Sequence, residues 1–335
     1  MGHLKIVVLG AGAWGTALAI SLSAHHPITL WARDRRQIDA IAATRENVRY
    51  LPGFALPDSI ALSADLAQAI EGAELILAVV PTSGFRALLT ALTQTGNTAA
   101  IVWACKGFEP GGAKLLHQVA AETLHADVPR GVLSGPSFAQ EVARGLPCAL
   151  TLASNDAAFA LEVAARLNNH HLRVYSSSDV VGVELGGAVK NVMAIAAGIC
   201  DGMGFGLNAR AALITRGLAE ITRLGLALGG RPETFMGLAG VGDLILTCTG
   251  DLSRNRSVGL GLAQGQALQT ILEQLGHTAE GVHTCAEVLS MADAVKVEMP
   301  ITREVYRVMF EGLSPRQALE DLLAREPKPE YSRES

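Results

Sequence analysis

Aromatic side chains are scarce in this 335-residue chain, at 4%. That argues against an aromatic-rich binding face. A basic excess is missing too, since the formal net charge is -5. The only dense basic cluster is Arg33, Arg35 and Arg36, broken by Asp34. A nucleic-acid binder presents a broad basic face, whereas so short a cluster suits one phosphate group. The five cysteines, at 105, 148, 200, 248 and 285, are odd in number and widely spaced. They form no disulfide framework and no CxxC or CxxxH zinc spacing. They read as small buried hydrophobes in a reducing cytoplasm, and no metal site is expected. No repeat of about 20–50 residues stands out. Residues 4–24 are apolar, but Lys5 is their only basic head residue and glycines interrupt them at fixed spacing. A strand, a tight turn and a helix account for them better than a leader or a membrane span.

What the chain does have is 49% hydrophobic residues and 35 glycines. So apolar a chain can offset its folding entropy by burial, and its length allows two cores. In the first half, short Val-, Ile- and Leu-rich runs alternate with helical stretches. Lys5–Leu9, Ile28–Trp31, Leu75–Val80, Ala100–Cys105 and Gly131–Leu133 predict strands, with two more at Ala149–Ala153 and Leu172–Tyr175. Helices are predicted at Ala13–Ala24, Arg35–Ala43, Phe85–Thr93 and Gly112–Leu124, and Asp156 could cap another. This alternation predicts an α/β fold, an N-terminal Rossmann-type doubly wound parallel sheet. Beyond about Asp179 strand-like runs become rare, and helical stretches are expected near 180–200, 208–228, 255–275 and 285–295. The predicted division is therefore 1–178 for a dinucleotide-binding domain and 179–325 for a mainly α-helical second domain. The polar residues 326–335 read as a mobile tail.

Gly10, Gly12 and Gly15 form a GxGxxG pattern directly after the first strand and at the start of a helix. The first glycine permits the turn, the second lets a pyrophosphate approach the backbone, and the third lets helix and strand pack closely. The helix N-terminus then offers free N–H groups and a positive dipole to phosphates. An acid after the second strand would hold the ribose hydroxyls of NAD, and an arginine would pair with the extra phosphate of NADP. Arg33 lies nearest the strand end, while Asp34 leaves NAD open. Small and polar residues also follow other strands, as in Pro81-Thr82, Lys106-Gly107 and Ser134-Gly135-Pro136-Ser137. Ligands in open parallel sheets bind at those carboxyl ends.

In the second half Lys190 is the only lysine in the apolar run GGAVKNVMAIAAGICDG. A packed stem with a snorkelling amine is the plain reading. Gly186, Gly187 and Ala194 make a small face that a ligand could approach, and a desolvated amine there would be tuned for proton transfer. Asn191 beside it could orient substrate or lysine. Asp243 follows Gly237, Gly240 and Gly242, and reads equally as a helix cap or as an acceptor for substrate or Lys190. Ser253, Arg254 and Asn255 stand at a predicted helix start, where they form either a cap or a phosphate cradle.

With these residues in view, the chain resembles the NAD(P)-dependent glycerol-3-phosphate dehydrogenases of the bacterial type. The resemblance rests on GAGAWGTALA at 10–19, ACKGFE at 104–109 and LSGPSFAQEV at 133–142. It continues with GGAVKNVMAIAAGICDG at 186–202, GLAGVGDLILTC at 237–248 and SRNRSVG at 253–259. It implies reversible hydride transfer between NAD(P)H and dihydroxyacetone phosphate, giving a phospholipid precursor. Lys190 takes the place of the family's proton acceptor. Lys106, Gly135, Ser137, Lys190, Asp243, Ser253, Arg254 and Asn255 fall on substrate positions. Gly10, Gly12, Trp14, Gly15, Arg33, Lys106, Ala139, Arg254 and Glu280 fall on cofactor positions. Either NAD or NADP is compatible, Thr278 lying near Glu280. The implied substrate is a small phosphorylated three-carbon compound, and a homodimer is plausible. Two alternatives stay open: a dehydrogenase of keto acids, and a non-catalytic sensor of NADH.

Overall fold

The computed structural model describes residues 2–276 and 279–326. Thr278 and all but the first residue of the expected tail lie outside the described residues. The chain begins with β1 (Ile6–Leu9), α1 (Ala13–Leu22), β2 (Ile28–Trp31), α2 (Arg35–Thr44), β3 (Ile60–Ser63) and α3 (Leu66–Ile70). It continues with β4 (Leu75–Ala78), α4 (Thr82–Gln94), β5 (Ala100–Trp103), a hairpin of β6 (Phe108–Glu109) and β7 (Lys114–Leu115), and α5 (Leu116–Thr123). Then come β8 (Arg130–Ser134), α6 (Ala139–Ala143), β9 (Cys148–Ala153), α7 (Ala157–Leu167) and β10 (Leu172–Ser177).

The main strands stand in the order β3-β2-β1-β4-β5-β8-β9-β10. All four residues of β1 are buried, with Ile6 opposite both Ile28 of β2 and Leu75 of β4. Strand order reverses between β1 and β4, so the glycine turn after β1 opens at the crevice where such sheets take ligands. The fold is the Rossmann-like α/β arrangement expected.

Besides the short helices α3 and α6, which were not expected, three details of this half differ from the sequence reading. β3 was not expected: its four residues pair with β2 at the sheet edge, and with Ala61 and Ser63 among them they lack the Val- and Ile-rich run of the other strands. The sheet is not wholly parallel, because β9 runs antiparallel to β8 while remaining parallel to β10. The helix expected from Gly112 begins at Leu116, since Lys114 and Leu115 pair back onto Glu109 and Phe108.

The second half is helical: α8 (Val180–Gly202), α9 (Gly206–Ala227), α10 (Pro232–Phe235), a π-helical turn at Leu238–Gly242, and α11 (Asp243–Thr249). α12 (Arg254–Ala263), α13 (Leu268–Leu275), α14 (Glu280–Ala294), α15 (Pro300–Phe310) and α16 (Pro315–Leu323) complete it. The stretch expected as one helix over 255–275 breaks at Gly265, whose φ of +76° no helix accommodates. α8 forms the axis, packed against α9, α11, α12 and α14. It is long and apolar enough to cross a membrane, yet 94% of its most apolar stretch is buried inside the protein. It is the core helix of this half.

Two buried carboxylates fasten α8 to its surroundings. Asp179 caps it through the Gly182 amide and also accepts from Arg231 N and Thr234 Oγ1. Glu184 accepts from Trp103 Nε1 at the end of β5 and from the amide of His117 on α5, both at 2.9 Å. The ring nitrogen Nδ1 of His117 lies 2.6 Å from the other oxygen of Glu184. Sheet and helical half are thus joined by a polar knot around buried Glu184, six positions before Lys190, with Trp103 buried and His117 half-buried.

Candidate active site

The glycine turn has the geometry its sequence predicts. Gly10 adopts φ +124°, and a Cβ there would lie 2.3 Å from the carbonyl of Val79. A Cβ on Gly15 would meet the Gly10 carbonyl at 1.9 Å, so strand and helix touch through bare backbone. Gly12 is different: a Cβ would meet nothing within 4 Å. Packing within the chain therefore does not require a glycine there. Gly12 also begins α1 without a side-chain cap, which leaves the first helical N–H groups for an anion. Trp14 is half-buried on the first turn of this helix, and Ala139 opens α6 against it. Arg33 is exposed just beyond β2, whereas Asp34 caps α2 through the Arg36 amide. The cap engages one oxygen of Asp34, while Arg33 makes no ion pair among the described residues.

Across the crevice, Asp243 collects two lysines. Its Oδ1 accepts from Lys190 on α8, and its Oδ2 accepts from Lys106 at 2.7 Å. Lys190 also donates to Thr247 Oγ1 at 2.7 Å, and Lys106 donates to the Gly135 carbonyl at 3.0 Å. Ser137 donates to that same carbonyl at 2.9 Å. Lys190, Asp243 and Thr247 are buried. Burial lowers the Lys190 ammonium to about 8; Asp243 pulls the other way and Lys106 adds to the lowering. Lys190 is thus desolvated, but the glycine face expected to admit a ligand is filled by the protein itself, Gly186 against Ala239 and Gly187 against Ser134.

Local sequence explains the placement. A Cβ on Gly186 would lie 2.3 Å from the Ala239 carbonyl, so α8 can press directly on the π-helical turn that delivers Asp243. A Cβ on Gly187 would lie 2.6 Å from Ser134 Oγ, at the end of β8. Ser134 Oγ is buried and has no hydrogen-bond partner among the described residues.

Of the two roles open to the helix-start cluster, the structure displays the cap. Ser253 caps α12 through the Arg256 amide. Asn255 Nδ2 donates to Asn191 Oδ1 at 3.0 Å, and its Oδ1 accepts from Gly281 N at 3.0 Å. Asn255 therefore ties together the residue after Lys190, the start of α12 and the start of α14. It offers a ligand only its remaining Nδ2 hydrogen and its backbone. Arg254 projects from the same turn, in the field of Glu280. Burial pushes the Glu280 carboxyl up, and it accepts a long hydrogen bond from Thr82 at the start of α4. The expected residues thus form two groups: Lys190, Lys106, Asp243, Gly135 and Ser137 around one carboxylate, and Ser253, Arg254 and Asn255 with Glu280 between α12 and α14.

Family models cover both halves. The NAD-dependent glycerol-3-phosphate dehydrogenase N-terminus matches residues 5–160, and the C-terminus of the same family matches residues 179–320. The chain belongs to the NAD-dependent glycerol-3-phosphate dehydrogenase family. A family member from Nitrosospira multiformis, a glycerol-3-phosphate dehydrogenase [NAD(P)+], is 61% identical over 98% of this chain and 99% of its own. One from Thiobacillus denitrificans is 61% identical over 98% of this chain and its own full length. The crystal structure of glycerol-3-phosphate dehydrogenase from Coxiella burnetii superposes with a TM-score of 0.92 at 43% identity, covering 96% of this chain and 99% of that one.

Within this family site, sequence reasoning passed over Thr247 and Glu184. Thr247 follows Asp243 by one helical turn on α11, a spacing that places both on one face. That signal was available. Glu184 carried none, because its partners Trp103 and His117 are 81 and 67 positions away.

Proposed function

We infer that the chain catalyses reversible hydride transfer between NADH or NADPH and dihydroxyacetone phosphate, giving sn-glycerol 3-phosphate, a phospholipid precursor. The observation that carries this reading is the buried Lys190–Asp243 pair, reached by Lys106 from the sheet side, across from an uncapped glycine-turn helix. The bound nicotinamide supplies the hydride in one direction and takes it in the other.

The chain's own residues handle the proton and the phosphate. An ammonium has three donors. Asp243 and Thr247 occupy two of those on Lys190, which leaves the third for substrate oxygen. In reduction Lys190 donates its proton to the carbonyl oxygen; in oxidation its neutral amine takes the hydroxyl proton. Lys106 likewise has two donors engaged, on Asp243 and Gly135, and one left for a ligand. Ser253, Arg254 and Asn255 receive the phosphate at the start of α12, with Gly135 and Ser137 on the sheet side. A phosphate held away from the reacting carbon orients the substrate. Gly10, Gly12, Trp14, Gly15, Arg33, Ala139 and Glu280 hold the dinucleotide, and Lys106 and Arg254 stand between the two ligands.

We assign residues 1–178 to the dinucleotide domain and 179–325 to the catalytic domain, since the last strand ends at Ser177 and α8 starts at Val180. The five free cysteines suit the reducing cytoplasm.

The decisive experiment follows absorbance at the nicotinamide band with dihydroxyacetone phosphate and, separately, NADH and NADPH. Oxidation that depends on dihydroxyacetone phosphate supports the reading. Nucleotide binding without turnover on that substrate refutes it.

A further inference from the structure

Behind the glycine turn lies a polar contact with no part in the chemistry above. The carbonyl of Ala11, between Gly10 and Gly12, accepts two side-chain amides: Gln37 Nε2 at 2.5 Å and Asn47 Nδ2 at 2.9 Å. Gln37 stands on the first turn of α2. Asn47 lies in the loop between α2 and β3 and is 1% exposed. The same Nδ2 donates to Thr16 Oγ1 at 2.7 Å, so both of its hydrogens are engaged. The Asn47 carbonyl accepts the Tyr50 and Leu51 amides, which folds the loop back, and Leu51 packs beside Ala17 and Trp14.

A trans peptide is planar, with its C=O and the following N–H pointing in opposite directions. Two donors on the Ala11 carbonyl therefore fix the plane of the Ala11–Gly12 peptide. They turn the Gly12 N–H away from the α2 loop. Glycine gives this peptide unusual freedom to rotate. Rotated over, it would present a carbonyl dipole to an anion at the start of α1 where an N–H is wanted.

We propose that Asn47, assisted by Gln37, is a positioning residue for the dinucleotide: the paired amides on the Ala11 carbonyl aim the Gly12 N–H at the pyrophosphate. A dinucleotide-binding loop is thereby set by residues more than twenty positions downstream of it. The inference rests on the pyrophosphate lying at the N-terminus of α1.

The test is titration of NADH, ADP and adenosine against the full-length enzyme, with kinetics alongside. Wild type, Asn47→Ala, Gln37→Ala and Thr16→Val are compared. Loss of one well-aligned hydrogen bond to a charged group corresponds to about tenfold in affinity. Asn47→Ala should weaken NADH and ADP by about that factor and Gln37→Ala by about threefold. Adenosine, which carries no phosphate, should bind as to wild type. The KM for dihydroxyacetone phosphate and kcat at saturating cofactor should also hold. Thr16→Val removes the other acceptor of Asn47 and should lower Tm without changing ADP affinity. Folded Asn47→Ala and Gln37→Ala enzymes that bind ADP normally would overturn the inference alone. So would equal weakening of adenosine and dihydroxyacetone phosphate, which would mean general loosening. If Asn47→Ala fails to fold, Gln37→Ala decides. Failure of ADP to displace NADH from wild type would remove the pyrophosphate placement, and the inference with it.

Discussion

Lys190 on α8 and Lys106 after β5 donate to opposite oxygens of the single carboxylate of Asp243. One lysine comes from the helical half and the other from the sheet, so Asp243 is the point where the two halves share a charge. Two ammonium groups on one buried carboxylate carry a net positive charge, suited to an anionic substrate. Burial of Lys190 also brings its proton into a range useful near neutrality.

Replacing Lys190 with alanine should lower kcat on the order of 10²-fold or more, the typical contribution of a general acid–base group. Cofactor affinity should change little. The wild-type pH profile should show the sign of the chemistry. Reduction needs the ammonium and should decline as pH rises through about 8, while oxidation needs the amine and should rise through the same region. Steady-state kcat in both directions across that range checks it. In Asp243→Asn the charge that opposes desolvation is gone, so the midpoint should move to lower pH.

Gly12→Ala and Gly186→Ala separate ligand space from packing. The first adds a methyl that touches nothing in the chain. It should leave Tm unchanged and raise the KM for cofactor about tenfold or more, since the pyrophosphate needs that space. The second drives a methyl into the Ala239 carbonyl. It should lower Tm and kcat together, because the turn carrying Asp243 must shift. Thermal denaturation and steady-state kinetics on both variants are sufficient.

Arg33→Asp should reverse any advantage of NADPH. The exposed guanidinium beyond β2 is suited to an extra phosphate, and a carboxylate there repels one and can accept from ribose hydroxyls. The ratio of kcat/KM for NADPH to that for NADH should fall by about tenfold or more. An unchanged ratio would mean that Arg33 does not read the phosphate.

Glu220 on α9 should make stability depend on pH. It is buried beneath the start of α15 and accepts from the Ile301 and Thr302 amides. Desolvation raises its carboxyl to about 7 despite those bonds. The folded state then holds a proton that the unfolded state has released, in the window from the ordinary carboxylate value of 4.5 up to about 7. This contribution to stability is present at the acid end of the window and is lost as pH rises through it. Glu220→Gln cannot ionise and should not share that loss. The Tm difference between variant and wild type should therefore increase in the variant's favour from about pH 5 to about pH 8.

Much of the fold was legible because its cause is local. Val- and Ile-rich runs such as Ile6–Leu9 form strands wherever they fall, and GxGxxG after such a run has few other uses. What escaped was set by pairing. Nothing in Ile60–Ser63 marks a strand until β2 stands beside it. Nothing in Cys148–Ala153 states that it runs opposite to Arg130–Ser134, because alternation along a strand is the same in either direction. The hairpin at Lys114–Leu115 shortened an expected helix for the same reason.

The sequence by itself determined the Rossmann-like half, the helical half, the family and the identity of the chemical groups. These depend on periodicity, small residues at fixed spacing and short motifs, all of them properties of neighbouring positions. Only the tertiary structure decided which groups meet. It brought Lys106 and Lys190 to the two oxygens of Asp243, gave Asp34 to a helix cap, tied α8 to the sheet through Glu184, and set Asn47 behind the glycine turn. Hydrogen bonds and desolvation act over a few ångströms whatever the separation along the chain, so these roles exist only once the chain has folded.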